Sequence, residues 1–245
     1  MPIRTRFGHS LVLTYALPAD VLRPLLPPGL ELDIHGDHGF VAAALVSTHK
    51  LRPAFLPAAL GADFCLTGYR IFARFPTPGG RTMRGLRILR SDTDRRLMAL
   101  GGNLLTRYNY RFARIRTDVS DGTLEFRVDS ADGRADLHVS AAIGGGPAPL
   151  PDGSPFADAR EARRFAGPLP YTFEYEPQTR SLIVIKAFRA HWDPRPVSVD
   201  VRRLTFFDHG PFAGTRPVLA NAFHVADVDY GWERGVRRAE DGGEL

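Results

Sequence analysis

Apolar and polar residues alternate over short stretches along most of the chain, the period-two pattern of half-buried strands. In SLIVIKAFRAHW, Leu182, Val184, Lys186 and Phe188 fall on one face. In TRYNYRF, Thr106, Tyr108, Tyr110 and Phe112 share a face, and Arg107, Asn109 and Arg111 the other. The pattern predicts strands at His9–Tyr15, Phe40–His49, Phe64–Phe75, Thr82–Arg90, Thr106–Arg116, Thr123–Asp129 and Ala135–Ile143. A second set follows at Tyr171–Glu176, Ser181–His191, Val197–Thr205 and Val218–Val228. Asp121-Gly122 and Asp132-Gly133 are hairpin signals, because φ > 0 is cheap there. Three short helices are expected. Ala19–Leu26 ends at Pro27-Pro28, Asp94–Leu100 has Ser91, Asp92 or Thr93 as N-cap, and Phe156–Phe165 follows a Gly/Pro loop. That loop, Gly144–Pro155, is a candidate hinge, although most such loops are plain connections. Short strands with Gly/Pro turns point to a β-rich sandwich or barrel, and with no compositional break residues 1–245 read as one domain.

Composition narrows the function classes. Hydrophobic residues make up 44%, enough for a sizeable core, and no apolar run approaches the ~18 residues of a membrane helix. The first ten residues lack the apolar stretch of a signal peptide, and Cys65 is the single cysteine, so a cytoplasmic location is expected. The net charge of +5 comes from arginines spread among acidic residues, which reads as a solvated surface and not as a nucleic-acid interface. Lysine is almost absent: Lys50 and Lys186 are the two in the chain.

Three blocks carry a resemblance. They are LTYALPADVLRPLLPPGLELD at Leu13–Asp33, RGLRILRSDTDRRLMALGGNLLTRYNY at Arg84–Tyr110, and LTFFDHG at Leu204–Gly210 with FHVADVDY at Phe223–Tyr230. In order and spacing they resemble the acetoacetate decarboxylase-like superfamily, and most closely an uncharacterised bacterial branch known as domain of unknown function 2071. The resemblance implies an antiparallel closed β-barrel or cone with a few short helices and an internal pocket. It also implies a buried lysine that forms a Schiff base with a ketone. When the decarboxylase pattern G-R-E-x-x-x-Y-P-K-K is laid on Gly102, its tyrosine falls on Tyr108 and its lysines on Tyr110 and Arg111. Neither can form an imine, since arginine stays protonated and a phenol is no amine. The family's pocket arginine falls near Gly8, and its acidic residue in Pro53–Gly61, which holds no carboxylate. Lys186 could replace the amine only by pointing inward; a snorkelling lysine at the barrel rim is the expected placement.

What remains is a set of candidate ligand-binding residues. Tyr108, Tyr110 and Thr106 would line one wall, with Tyr110 and Tyr108 also the candidate catalytic pair, against the alternative of core tyrosines bonded to backbone. One inward arginine among Arg70, Arg84, Arg87 and Arg90, of which Arg84 and Arg90 would share a face, could clamp a carboxylate, against the alternative of a structural pair with Asp92 or Asp94. His35 and His38 are too isolated for a closed metal site, His209 reads as a structural pair with Asp208, His191 and His224 read as lone histidines satisfied locally, and no cofactor motif is present. The reading is therefore a small-molecule-binding barrel for an oxygenated or carboxylate ligand, without metal or cofactor and without nucleic-acid or membrane partners. Homo-oligomerisation stays open. The alternatives are a lyase, hydratase or isomerase acting through Tyr110 and Tyr108 beside a carbonyl, and a structural or assembly role.

Overall fold

The structure, a computed structural model, describes residues 1–105, 108–167 and 169–243. β1 (Ile3–Pro18) leads into α1 (Ala19–Leu22) and a single 3-10 turn at Arg23–Leu25, and Pro27-Pro28 stops the helix as expected. β2 (Glu31–Leu32), β3 (His38–Pro53), β4 (Ala62–Pro76) and β5 (Thr82–Thr93) follow, then α2 (Arg96–Leu105). β6 (Tyr110–Ser120), β7 (Thr123–Ser130) and β8 (Leu137–Ala142) form a meander before α3 (Ala159–Ala166). The chain closes with β9 (Tyr171–Glu176), β10 (Ser181–Arg189), β11 (Arg195–Pro196), β12 (Val199–Leu204), β13 (Val218–Trp232) and β14 (Val236–Ala239). No helix among the described residues is long and apolar enough to cross a membrane.

The strands pair in the order β12-β8-β7-β6-β5-β9-β10-β13-β1-β3-β4-β2, and β4 also pairs with β5. Seven strands, β5, β9, β10, β13, β1, β3 and β4, thus form a cycle of pairings. The expected closed antiparallel barrel is present only in part. The junctions β5–β9 and β10–β13 span three paired residues each, and β6, β7, β8 and β12 carry the sheet away from the cycle. β5 runs parallel to both β6 and β9. The β5–β6 pair is parallel because α2 supplies a crossover where a tight hairpin would reverse the chain. Gly85 permits the β9 contact, since a Cβ there would sit 2.6 Å from the Tyr171 carbonyl and 2.7 Å from the Phe173 ring.

Most strands appear where alternation placed them. At the Asp121-Gly122 hairpin both residues have positive φ, 48° and 72°, as a type I′ turn requires. The largest departure is at Thr106–Arg116. There α2 runs to Leu105, well past the expected Leu100, and β6 begins only at Tyr110. Gly101-Gly102 costs the helix about 1 kcal/mol per residue relative to alanine. Beyond it, Asn103 compensates: its Oδ1 accepts from the Tyr110 amide at 2.7 Å, and its Nδ2 donates to the Tyr110 carbonyl at 2.8 Å. One side chain thereby imitates a strand partner and sets where β6 starts. A bulge at Leu89 overturns a second expectation. Arg90 lies opposite Tyr69 and Arg87 opposite Ile71, while Arg84 lies opposite Arg74, so Arg84 and Arg90 do not share a face.

Two apolar layers flank the long strands. Leu11, Leu13, Leu45 and Ile71 pack with Leu124, Phe126 and Val139 of the meander. Phe40 and Phe72 pack with Phe156, Phe165 and α3 on another cluster.

The joint between β5 and the meander is ionic. Arg90 donates from Nε and Nη2 to the two Asp92 oxygens at 2.7 Å each, and from Nη1 and Nη2 to Asp132 at 2.9 Å each. Arg111 adds a bond to Asp132 at 2.6 Å. Arg90 and Asp92 are buried, at 7% and 0% exposure, so this charge has no water to fall back on. The hydrogen bond from Arg90 holds the Asp132 carboxyl well below its usual range, against the opposing effect of its partial burial.

Arg90→Met leaves Asp92 buried without its cation and should cost about 3–5 kcal/mol in urea unfolding. Asp132→Asn keeps the Arg90–Asp92 pair and should cost roughly 1.5–3 kcal/mol. The Asp132 pKa is lowered on folding, so its contribution is complete above the unfolded value near ~3.9 and fades as pH falls through the lower folded value. The difference between wild type and Asp132→Asn should therefore be flat from about pH 5 to 8 and shrink in acid.

Candidate functional site

Five strands and the segment entering β6 deliver a partly buried polar cluster. Arg70 comes from β4, Arg87 from β5, Glu174 from β9, Arg189 from β10, Tyr230 from β13, and Tyr108 and Tyr110 from the start of β6. Glu174 is only 3% exposed although it stands in the middle of a strand. Tyr108 is hydrogen-bonded to Glu174, and its ring meets Tyr110 edge to face at 6.0 Å. Asn109, between them, has φ 53°, a left-handed conformation that asparagine tolerates. It breaks the simple alternation expected of TRYNYRF while keeping both phenols near one cluster. Thr106, the third candidate on that wall, lies outside the described residues.

Electrostatics ties the members together. Burial pushes the Tyr110 hydroxyl up to about 12; the Arg70 cation opposes the shift and the Glu174 anion adds to it. Tyr108 is raised further, by burial first and then by the Glu174 charge. Tyr230 is raised by burial, with Arg189 and Arg70 opposing. Burial lowers Arg87, and Glu174 works to restore its charge. Arg70 Nε and Arg87 Nη1 are buried without a hydrogen-bond partner among the described residues. Arg189 is better satisfied, lying over the Trp192 and Tyr230 rings and donating to the Leu169 carbonyl at 3.2 Å. The arrangement offers cations with open N–H groups beside neutral phenols and one carboxylate. It can hold an anion, donate hydrogen bonds to an oxygen, and place a base next to a proton donor.

The remaining candidates are placed elsewhere. Arg84 donates to Asp33 at 2.7 Å and to the Phe165 carbonyl at 2.9 Å, and stacks over the Phe165 ring, so it braces α3 and is not part of the cluster. Lys186 is half-exposed and pairs with Glu233 at 3.4 Å, which is the rim placement. The structural pair of Arg90 with Asp92 is present, and Asp94 accepts from the Cys65 amide at 2.9 Å. His224 departs from the expectation of a histidine satisfied locally: it bonds His9, far away in sequence, at 3.0 Å. Among the described residues no group of three or more His, Cys, Asp or Glu could hold a metal ion.

Sequence reasoning missed Glu174, Arg189 and Tyr230. Glu174 left one signal, a carboxylate between Phe173 and Tyr175 in a strand whose neighbours are apolar. Arg189 sits on a strand with no motif around it, and Tyr230 ends the block FHVADVDY, which carries a resemblance without singling out its tyrosine.

Several solved structures share this fold. Acetoacetate decarboxylase from Legionella pneumophila superposes with a TM-score of 0.61 at 15% identity, covering 98% of this chain and 88% of that one. The enduracididine biosynthesis enzyme MppR with bound buffer gives 0.65 at 16% identity, with 98% and 88% covered. An acetoacetate decarboxylase-like enzyme from Sphingomonas wittichii gives 0.60 at 14%, with 97% and 93% covered. At such identities the likeness establishes the fold. No curated protein matches in sequence. A family model does: DUF2071, described as an uncharacterized conserved protein, matches residues 4–227, and the chain belongs to that family, built on the acetoacetate decarboxylase-like fold.

Proposed function

We propose that the cluster around Arg70 and Glu174 binds a small organic carboxylate that also carries a carbonyl or hydroxyl oxygen. The observation behind this reading is the pair of buried, unpartnered guanidinium donors, Arg70 Nε and Arg87 Nη1. A buried donor without an acceptor costs about 1–3 kcal/mol, which a carboxylate bound at Arg70 would recover. Tyr110, with its hydroxyl held neutral by burial, would donate to the second oxygen, while the Tyr108 O–H is taken up by Glu174. MppR, which shares the fold, has been seen with pyruvate, and this supports the ligand class.

A second reading is enzymatic, and the Tyr108–Glu174 hydrogen bond favours it. Glu174 would take a proton from the carbon beside the carbonyl, and Tyr110 or Tyr108 would donate to the oxygen that gains charge, as in a lyase, hydratase or isomerase. Imine chemistry is outside both readings. It needs a nucleophilic amine in the pocket, and the two lysines of the chain, Lys50 and Lys186, lie at an exposed position and in an exposed ion pair.

Calorimetric titration with pyruvate should show saturable binding to the wild type. Tyr110→Phe removes one hydrogen bond, about 1 kcal/mol, and should weaken binding roughly fivefold with an unchanged unfolding midpoint. Arg70→Gln, losing a charged donor, should weaken it by tenfold or more. Equal affinity in all three proteins would place the ligand elsewhere. Exchange of the methyl protons of bound pyruvate, followed by deuterium incorporation, separates enzyme from binder.

Asn103→Ala frees both backbone bonds of Tyr110 and should reduce pyruvate binding more than Tyr110→Phe does, because it unfixes the start of β6. An affinity equal to wild type would show that the Asn103 bonds do not position the site.

Incubation with acetoacetate followed by borohydride should leave the intact mass unchanged. An adduct mapped to Lys186 would overturn the exclusion of imine chemistry.

A further inference from the structure

His9 and His224 form a second concentration of chemistry. Along β13, His224 stands six residues from Tyr230, about 20 Å at strand rise. His9 Nδ1 and His224 Nε2 are 3.0 Å apart, with the rings inclined by 24°. His224 lines a cleft of about 370 Å³, at the lower end of the size range of small-molecule sites. Gly145, Gly146 and Pro147 of the loop before α3 form one wall, held down where the Ala148 amide donates to the Pro196 carbonyl at 3.1 Å.

The cleft is cationic at its mouth and apolar within. Arg163 and Arg195 share one anion, Asp193, which they reach at only 4.0 and 3.9 Å through well-exposed side chains. Exposed pairs at such distances hold little free energy and are readily exchanged for another anion. One positive charge is left in excess. Ile143 and Val197 supply apolar surface deeper in. Burial, then His9 and then Arg195, lower the His224 pKa to about 4, so its ring is neutral at physiological pH and offers one N–H.

We infer that this cleft is a separate binding site for a small organic monocarboxylate, with Arg195 and Arg163 on the carboxylate, a hydrogen bond from His224, and Ile143 and Val197 against the apolar body. The histidine pair makes the donor direction switchable. Two neutral imidazoles share one proton across the 3.0 Å contact, so one donates and the other accepts. With an anion in the cleft, His224 carries its proton on Nδ1 and accepts from His9 Nδ1 at its own Nε2. The pair then hands hydrogen-bond donation to the ligand without forming a buried cation. This site does not depend on the Arg70 cluster.

The test uses the full chain with ¹⁵N-labelled histidine, benzoate as the ligand and benzyl alcohol as its neutral counterpart. The His224 ring nitrogens report on this cleft, so binding at the Arg70 cluster does not enter the readout. Benzoate should move the His224 signals saturably toward the Nδ1–H tautomer, and benzyl alcohol should not. Arg195→Gln, at an exposed position, should keep the wild-type unfolding midpoint and weaken the benzoate effect about tenfold, the value of one charge-assisted hydrogen bond. His224 signals that do not respond to benzoate, that respond equally to the alcohol, or that titrate identically in Arg195→Gln would overturn the inference.

Discussion

Arg90 sits with a carboxylate on either side, one fully buried on its own strand and one on the β7–β8 turn. Removing such an ion from water is expensive, and only multiple short hydrogen bonds make the arrangement tolerable. With Arg111 included, two cations face two anions, so the joint carries no net charge. The geometry it imposes reaches the candidate site directly. Ser91 and Asp92 pair in parallel with Tyr110 and Arg111, so the strand end fixed by Arg90 is the one beside which Tyr110 lies. Asn103 grips the Tyr110 backbone from the helix side. The phenol is thus located by an ion network on one side and a side-chain imitation of a β-ladder on the other.

This accounts for the density of motif-like residues in Arg84–Tyr110. Little of that segment touches the cluster. Arg84 braces α3, Arg90 and Asp92 make the joint, Asp94 caps the Cys65 amide, and Asn103 sets the start of β6. Arg87 belongs to the cluster, but these other polar residues are framework, and the framework delivers two tyrosines. Arg111, which stands where the decarboxylase pattern has a lysine, is also framework, tied to Asp132.

The strands were legible because alternation is a local property, and because Asp-Gly turns announce themselves through positive φ. The pairing order was not. That β9 inserts beside β5, and that β4 closes onto β5, depends on contacts among residues far apart in sequence. Glu174 became part of a site only through that topology. The Leu89 bulge was likewise invisible, since one extra residue reverses the parity of everything before it. The run of α2 through Gly101-Gly102 depended on Asn103 finding a partner seven residues on, which no propensity encodes.

The resemblance sets Tyr110 where the decarboxylase pattern has a lysine, and a phenol in that place cannot do an amine's chemistry. A lysine there needs a lowered pKa to attack a ketone, and neighbouring cations help lower it. Here Arg70 stands close enough to act on Tyr110, yet burial prevails and the phenol is raised to about 12. A phenol so placed is a donor at neutral pH and never a nucleophile. Glu174 reinforces that state from the other side, since its charge opposes ionisation of both tyrosines. The cluster therefore sets buried N–H donors and neutral phenols beside Glu174, the carboxylate in it that could take a proton. Under the enzymatic reading, Glu174 would abstract the proton and a phenol would hydrogen-bond the oxygen that gains charge, where the lysine enzymes rely on an electron-withdrawing iminium.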